Sequence, residues 1–269
     1  MGMLNGRVAV ITGAGRGIGQ AIATLFVREG GRVVVNDVDA GPAGDTIALC
    51  DAIAPGCAVA SIGSVTVVAD VDAMMDAAVE NFGGLDILVN NAGITRDRMA
   101  HLLAEDAWDQ VVDVSLKGTF LCAKSAARHM RTAAKAEIKA NGEPAHVRKV
   151  VNFASTAALR GNPGQAAYTA AKMGVVGLSR TLAQEWGPLR IGVNVVAPGF
   201  TETRLTAAKS AGDKMGVPQP IREAMLQRIP FARYGDPEDI ANVVLFFASP
   251  LSDYVTGQVV NVSGGMQIP

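Results

Sequence analysis

Residues 7–19 read Arg7-Val-Ala-Val-Ile-Thr-Gly-Ala-Gly-Arg-Gly-Ile-Gly19, and residues 32–37 read Arg32-Val-Val-Val-Asn-Asp37. Both open on unbroken apolar runs rather than on alternating apolar and polar residues. Such runs mark strands buried on both faces of a parallel sheet. Between the first run and the following helical stretch stand Gly13, Gly17 and Gly19, spaced G-x-x-x-G-x-G, with Gly15, Arg16 and Ile18 among them. Glycines here permit a tight turn and a close backbone approach to a pyrophosphate, which the N–H groups of the next helix can then hold. No Gly-Lys-Ser/Thr follows, so a nucleotide-triphosphate loop is not indicated. Asp37 lies eighteen residues past Gly19, at the end of the second run. An acidic residue at that place accepts hydrogen bonds from adenosine ribose hydroxyls. Its charge would repel a 2′-phosphate and so favours NAD over NADP, while Arg16, able to reach a phosphate, argues the other way.

Working outward, five more apolar runs follow: Cys57–Ser61, Asp86–Asn90, Lys149–Ala154, Arg190–Ala197 and Gln258–Val262. Helical patterns alternate with them. Val67, Val71, Met74, Met75, Ala78, Val79 and Phe82 share one helix face. Ala166–Trp186 forms a second helix, and Pro237–Ala248 a third, with Asp236 as N-cap. Strand and helix in alternation predict an α/β chain: a Rossmann-type doubly wound, mostly seven-stranded parallel sheet with helices on both faces. No linker divides it, so one domain is expected over residues 1–269. Two stretches fit poorly: polar Thr132–Arg148, and Phe200–Arg233, which holds three prolines and no strand-like run.

Composition excludes several classes. Lys and Arg number 24 against 25 Asp and Glu, which leaves no basic excess for nucleic acid. The 49 % hydrophobic content excludes a disordered chain. No apolar run reaches membrane-spanning length, and the N-terminus reads as neither a signal peptide nor a myristoylation site. Three cysteines and three histidines match no disulfide framework or metal spacing. A cytoplasmic protein without metal, acting on a small molecule, is expected.

Tyr168 and Lys172 stand four apart in a helical stretch, on one face. Ser155 closes the strand thirteen residues earlier. Oxidising an alcohol with a nicotinamide needs a base for the hydroxyl proton and a donor on the oxygen. Tyrosine, with a pKa near 10, needs help to serve as that base. A lysine one turn away would lower it, and Ser155 would hold the substrate oxygen.

These residues together resemble the short-chain dehydrogenases/reductases over nearly the whole chain. Thr12–Gly19 matches the family's cofactor turn, Asn90-Asn91-Ala92-Gly93 its sheet element beside the cofactor, and Ser155, Tyr168 and Lys172 its catalytic triplet. Asn194, Pro198-Gly199 and Thr203 match the strand-to-substrate loop, and residues 237–241 and 255–258 the C-terminal region. The resemblance implies that Lys172 also binds the nicotinamide ribose. It further implies that Ser64, Val65, Asn91, Ala92, Gly93, Pro198, Gly199, Thr201 and Thr203 contact the cofactor, and that two or four copies assemble through the long helices.

Three departures stand out. Ser115 occupies the place of an asparagine that anchors a water in the proton relay. Ser64 replaces an acidic residue that often binds adenine. Thr132–Arg148 makes the chain about ten residues longer there than the family pattern; it either extends an interface helix or loops into solvent, the loop being the simpler expectation. Residues 91–122 resemble 3-oxoacyl thioester reductases and the peroxisomal type of 3-hydroxyacyl-CoA dehydrogenase. The expected function is NAD(H)-dependent interconversion of a 3-hydroxyacyl and a 3-oxoacyl thioester. The alternatives are an NADP(H)-dependent 3-oxoacyl-carrier reductase, a dehydrogenase of another secondary alcohol, and a cofactor-binding protein with weakened catalysis. Met215, Val217, Ile221, Met225 and Leu226 are expected either to line an apolar pocket or to pack as a lid helix.

Overall fold

The computed structural model describes residues 2–209 and 216–267. Its strands are β1 (Val8–Thr12), β2 (Arg32–Asp37), β3 (Ala58–Ile62), β4 (Ile87–Asn90), β5 (Arg148–Phe153), β6 (Ile191–Pro198) and β7 (Val259–Val262). They form one sheet in the order β3-β2-β1-β4-β5-β6-β7. Every pairing is parallel. The central runs have the predicted cause, since all residues of β1, β4 and β5 are buried, whereas the edge strands β3 and β7 are only partly buried, against the expectation for every run.

Helices cover both faces. On one lie α1 (Gly17–Arg28), α2 (Ala40–Ile53) and α9 (Pro237–Ala248), where Ile22, Phe26, Ile240 and Phe247 pack against Ile11, Val33 and Val151. On the other lie α3 (Val68–Phe82), α4 (Glu105–Val112), α5 (Gly118–Asn141) and α7 (Ala166–Trp186), with Met74, Met75, Met130 and Trp186 on Val10, Val34 and Val150. Two shorter helices, α6 (Thr156–Arg160) and α8 (Gln219–Leu226), follow β5 and β6. α7 and α9 keep the limits predicted from sequence, and Pro237 sits in the first turn of α9. There the Asp239 carboxylate accepts from the Asp236 backbone N–H at 2.8 Å.

The segment Thr132–Arg148 is not a solvent loop. α5 continues to Asn141 and ends on left-handed Gly142. Thr132–Asn141 is rich in Ala, Lys and Glu, strong helix formers whose propensity outweighs their polarity. Glu137 folds the end of α5 onto β5. Its carboxylate accepts from both arms of the Arg148 guanidinium, at 2.6 and 3.0 Å, and from Ala145 N–H at 2.9 Å. His146 reaches Asp86 at 2.6 Å and Arg190 reaches Glu143 at 2.7 Å. In the remaining irregular stretch, Phe200–Arg233, the described residues form α8 and isolated bridges, Thr201 with Gly235 and Ala208 with Val217.

The Arg148 guanidinium holds the Glu137 carboxyl well below the ordinary 4.5, at about 2. A depressed folded-state pKa stabilises above the unfolded value and loses that stabilisation as pH falls through the folded one. Replacing Glu137 by Gln strands the buried Arg148 cation, so Glu137→Gln is expected to cost about 2 kcal/mol at pH 7. In urea melts at a series of pH values, that deficit should shrink below pH 4.5 and vanish near pH 2.

Candidate active site

A cleft of about 530 Å³ opens where β1 to β6 end. It lies at the point where strand order reverses, between β1 and β4, the usual binding crevice of an open parallel sheet. Most residues singled out from sequence line it. The first turn contributes Gly13, Arg16, Gly17 and Ile18; the ends of β2 and β3 contribute Asp37, Ser64 and Val65. Asn91, Ala92 and Gly93 follow β4, and Ser155 follows β5. Tyr168 and Lys172 come from α7, and Pro198, Gly199, Thr201 and Thr203 from beyond β6.

Of the residues expected to bind the cofactor or take part in catalysis, Gly15, Gly19 and Ser115 do not line it. Gly15 and Gly19 lie beneath the turn: a Cβ on Gly19 would fall 2.3 Å from the Gly13 carbonyl, and one on Gly15 2.7 Å from the Asp37 carboxylate. They close the turn rather than face the cleft. Ser115 lies in a π turn, Asp113–Lys117, between α4 and α5. Its Oγ is buried and has no hydrogen-bond partner among the described residues. Lining residues that the sequence did not single out include Asn36, Asp39, Gly63, Thr95, Phe153 and the trio Arg204, Leu205 and Thr206. The first five border the marked strand ends and could have been found by position. The trio depends on how the loop folds.

The turn is fixed on every side. Gly13 and Gly17 have φ of +61° and +53°, open to glycine at little cost. The side chain of Arg16, the N-cap of α1, does not cap the helix, and no acidic residue stands in its first turn. Those N–H groups and the positive end of the helix therefore remain available to an anion. The Asp37 carboxylate accepts from Gly15 N–H at 3.0 Å and from Asp39 N–H at 3.1 Å, which aims it while leaving lone pairs open. The Arg16 guanidinium donates to the Asp39 carboxylate at 2.9 Å. Ser64 N–H donates to Asp70 at 2.8 Å, and its hydroxyl pairs with Thr66. Met215 lies outside the described residues; Val217, Ile221, Met225 and Leu226 do not line the cleft, and Ile221 is 49 % exposed. α8 is a helix as expected, but it presents no apolar pocket.

At the opposite end of the cleft, Lys172 Nζ donates to the Phe153 carbonyl at 2.8 Å and lies 5.9 Å from the centre of the Tyr168 ring. Burial lowers the lysine from 10.5 to about 8, so at pH 7 it stays mostly charged. Tyr168 corrects the sequence reading. Burial pushes its phenol above the ordinary value, the Ser155 hydrogen bond only partly offsets this, and the Asp97 charge adds to it. Desolvation of the phenolate outweighs the help expected from the lysine. In the cofactor-free protein burial therefore disfavours the Tyr168 phenolate. A Cβ on Gly93 would lie 3.2 Å from Lys172 Nζ and 3.5 Å from Ser115 Oγ, so glycine there keeps the space between them open.

Comparison with known proteins agrees with this geometry. Residues 13–267 match the family model described as enoyl-(acyl carrier protein) reductase. The chain is 38 % identical to the 3-oxoacyl-[acyl-carrier-protein] reductase FabG of Thermotoga maritima, over 98 % of this chain and 99 % of that one. It is 42 % identical to the enzyme of that name from Staphylococcus aureus, over 96 % and 97 %. A solved structure from Sinorhizobium meliloti 1021, described as that of a short-chain alcohol dehydrogenase, superposes with a TM-score of 0.86. That structure shares 36 % identity and covers 98 % of this chain and 97 % of its own. The fold and site define an oxidoreductase acting on CH–OH donors with a nicotinamide cofactor. The chain belongs to the short-chain dehydrogenase/reductase family.

Titrating phenolate absorbance in the cofactor-free protein, wild type minus Tyr168→Phe, should give an apparent pKa above 10 for Tyr168. A value below that would place the lysine's influence ahead of burial.

Proposed function

We propose that this protein interconverts a 3-oxoacyl and a 3-hydroxyacyl thioester with NAD(H). One observation carries the reading: a single cleft has Ser155, Tyr168 and Lys172 at one end and Asp37 at the other. The residues fit a dinucleotide. The uncapped start of α1 suits a pyrophosphate, and a Cβ on Gly13 would close to 3.0 Å from Ala92 Cα, so only glycine leaves that surface open. Asp37 suits a ribose diol and disfavours a 2′-phosphate. Arg16, which argued for NADP, is engaged by Asp39. When bound, the nicotinamide donates or accepts the hydride.

The chain's own groups do the rest. The Ser155 hydroxyl holds the substrate oxygen beside the phenol. Tyr168, protonated at neutral pH, donates its proton to that oxygen as the carbonyl becomes an alcohol. The Lys172 ammonium stabilises the phenolate left behind. Ser115 offers an unpartnered hydroxyl near Lys172 for a water that returns the proton. Thr201 and Thr203 with the Pro198-Gly199 backbone border the nicotinamide end, and Ser64, Val65 and residues 91–93 border the rest.

The thioester substrate is supported by the 3-oxoacyl carrier-protein reductases the chain resembles. Phe120 on α5 and Met173 on α7 are 45 % and 46 % exposed, which supports assembly of two or four copies through these helices. No helix among the described residues is long and apolar enough to cross a membrane. Cys50, Cys57 and Cys122 are unpaired, which favours a reducing compartment such as the cytoplasm.

The test is turnover of acetoacetyl-CoA with NADH and with NADPH. NADH should be preferred by about tenfold or more, and Asp37→Ser should erase most of that preference, because facing like charges are costly. Tyr168→Phe should lose about 10³-fold in kcat with NADH affinity nearly unchanged. Equal use of both cofactors by the wild type would overturn the NAD assignment. An active Tyr168→Phe variant would overturn the proton-donor assignment.

A further inference from the structure

The loop after β6 forms one wall of the cleft through Thr201, Thr203, Arg204, Leu205 and Thr206. An isolated bridge ties this loop to the start of α9, with Glu202 N–H donating to the Gly235 carbonyl at 2.8 Å and Gly235 N–H to the Phe200 carbonyl at 3.0 Å. The helix that follows, α8, does not dock as a surface helix normally does, by an apolar stripe. Its one buried residue is an arginine, Arg222, 7 % exposed.

Arg222 is saturated with contacts to other segments. One guanidinium nitrogen donates to the Thr206 carbonyl. Another donates to Glu202 Oε1 at 2.5 Å. The flat cation lies 4.6 Å from the centre of the Tyr234 ring and 5.7 Å from that of Phe200. Those two rings pack on each other with centres 5.1 Å apart. Tyr234 Oη closes the arrangement by donating to the Arg222 backbone carbonyl at 2.9 Å. A guanidinium alone offers a planar fork for a carboxylate and a carbonyl together with faces for two rings.

We propose that Arg222 is the positioning residue of the substrate loop. Through Glu202 and the Thr206 carbonyl it fixes residues 201–206 against the cleft, and so sets affinity for the acyl substrate rather than for the adenosine half of the cofactor. The inference rests on the reading of the cleft given above. Its selectivity follows from placement: Asp37, Arg16 and the glycine turn, which border the other end, share no contact with Arg222. A lysine in its place keeps the charge but loses the fork and most of the stacking. A glutamine in place of Glu202 leaves the fork intact but removes the counter-charge of a buried cation.

The test uses full-length Arg222→Lys and Glu202→Gln, with backbone hydrogen exchange and steady-state kinetics. Exchange at residues 201–206 and 219–226 should quicken about tenfold or more in both variants, while sheet amides keep wild-type rates. KM for acetoacetyl-CoA should rise about tenfold, more than the NADH dissociation constant, which the loop can affect only through Thr201 and Thr203. Unchanged exchange at 201–206 in both variants overturns the proposal. So does quickened exchange throughout the sheet, which would mark Arg222 as general stabilisation, and so does an unchanged KM. If wild type does not turn over acetoacetyl-CoA, the thioester reading fails, and exchange measured with NADH bound still decides the role of Arg222. Should Arg222→Lys not fold, Glu202→Gln carries the measurement.

Discussion

The junction of Thr12 with Asn91 holds open the crevice on which everything else depends. Thr12 Oγ1 accepts from the backbone N–H groups of Asn91 and Ala92, both at 3.1 Å. The Asn91 side-chain amide donates back to the carbonyls of Thr12 and Gly13, both at 3.0 Å. These bonds bridge the strands β1 and β4 just where the chain stops building the sheet in one direction and starts in the other. Without them the glycine turn and the 91–93 segment would be two independent loops. With them they become one surface, and the close approach accounts for glycine at 13 and 19, where any side chain would strike backbone.

The other end of the cleft owes its register to a buried chain of amides. Asn90 donates to Asn152 at 2.8 Å, Asn152 to Ser179 at 2.8 Å, and Ser179 to the Val175 carbonyl at 2.7 Å. All lie in a low-dielectric interior, where these bonds disfavour any slip, although Asn90 Oδ1 has no partner among the described residues. β4, β5 and α7 are thereby locked, and α7 presents Tyr168 and Lys172 at one fixed height beside Ser155. The same dryness moves the two ionisations in opposite directions, each toward the neutral form. The lysine nonetheless keeps its charge at pH 7 because its ordinary value starts so high.

The central strands were legible in the sequence because burial on both faces imposes a short unbroken apolar run; the one helical run of that kind, Val243–Ala248 in α9, is marked as helix by Asp236 and Pro237 before it. The helix α7 was legible to the residue, since its apolar stripe stops where Trp186 meets Gly187-Pro188. The end of α5 was not: Thr132–Asn141 is polar, and polarity was taken for loop although its residues are good helix formers fastened by one ion pair to β5. Most of the cleft lining followed from motif spacing. The sign of the Tyr168 shift did not, because the i, i+4 lysine is visible in sequence whereas the burial that outweighs it is tertiary. Arg222 carried no signal at all. An arginine in a proline-rich loop reads as solvated surface until Glu202, Phe200 and Tyr234 are brought around it.

The two walls of the cleft are therefore built on different physics. The wall bordered by the glycine turn and Asp37 presents mostly backbone, pinned to the sheet ends by the side chains of Thr12, Asn91 and Asp37. The wall bordered by residues 201–206 is held by side chains, above all by one buried cation between two rings and a carboxylate. Loops positioned by a rigid scaffold are where binding preferences can change without cost to the fold. In this chain the scaffold breaks off at Pro198 and resumes at α9, and between them α8 has no buried apolar residue. Substitutions among Phe200, Glu202, Arg222 and Tyr234 can thus re-aim the substrate wall while the cofactor wall, the amide chain and the sheet remain as they are. That separation lets one architecture keep its cofactor cleft while the wall facing the substrate is adjusted from a single loop.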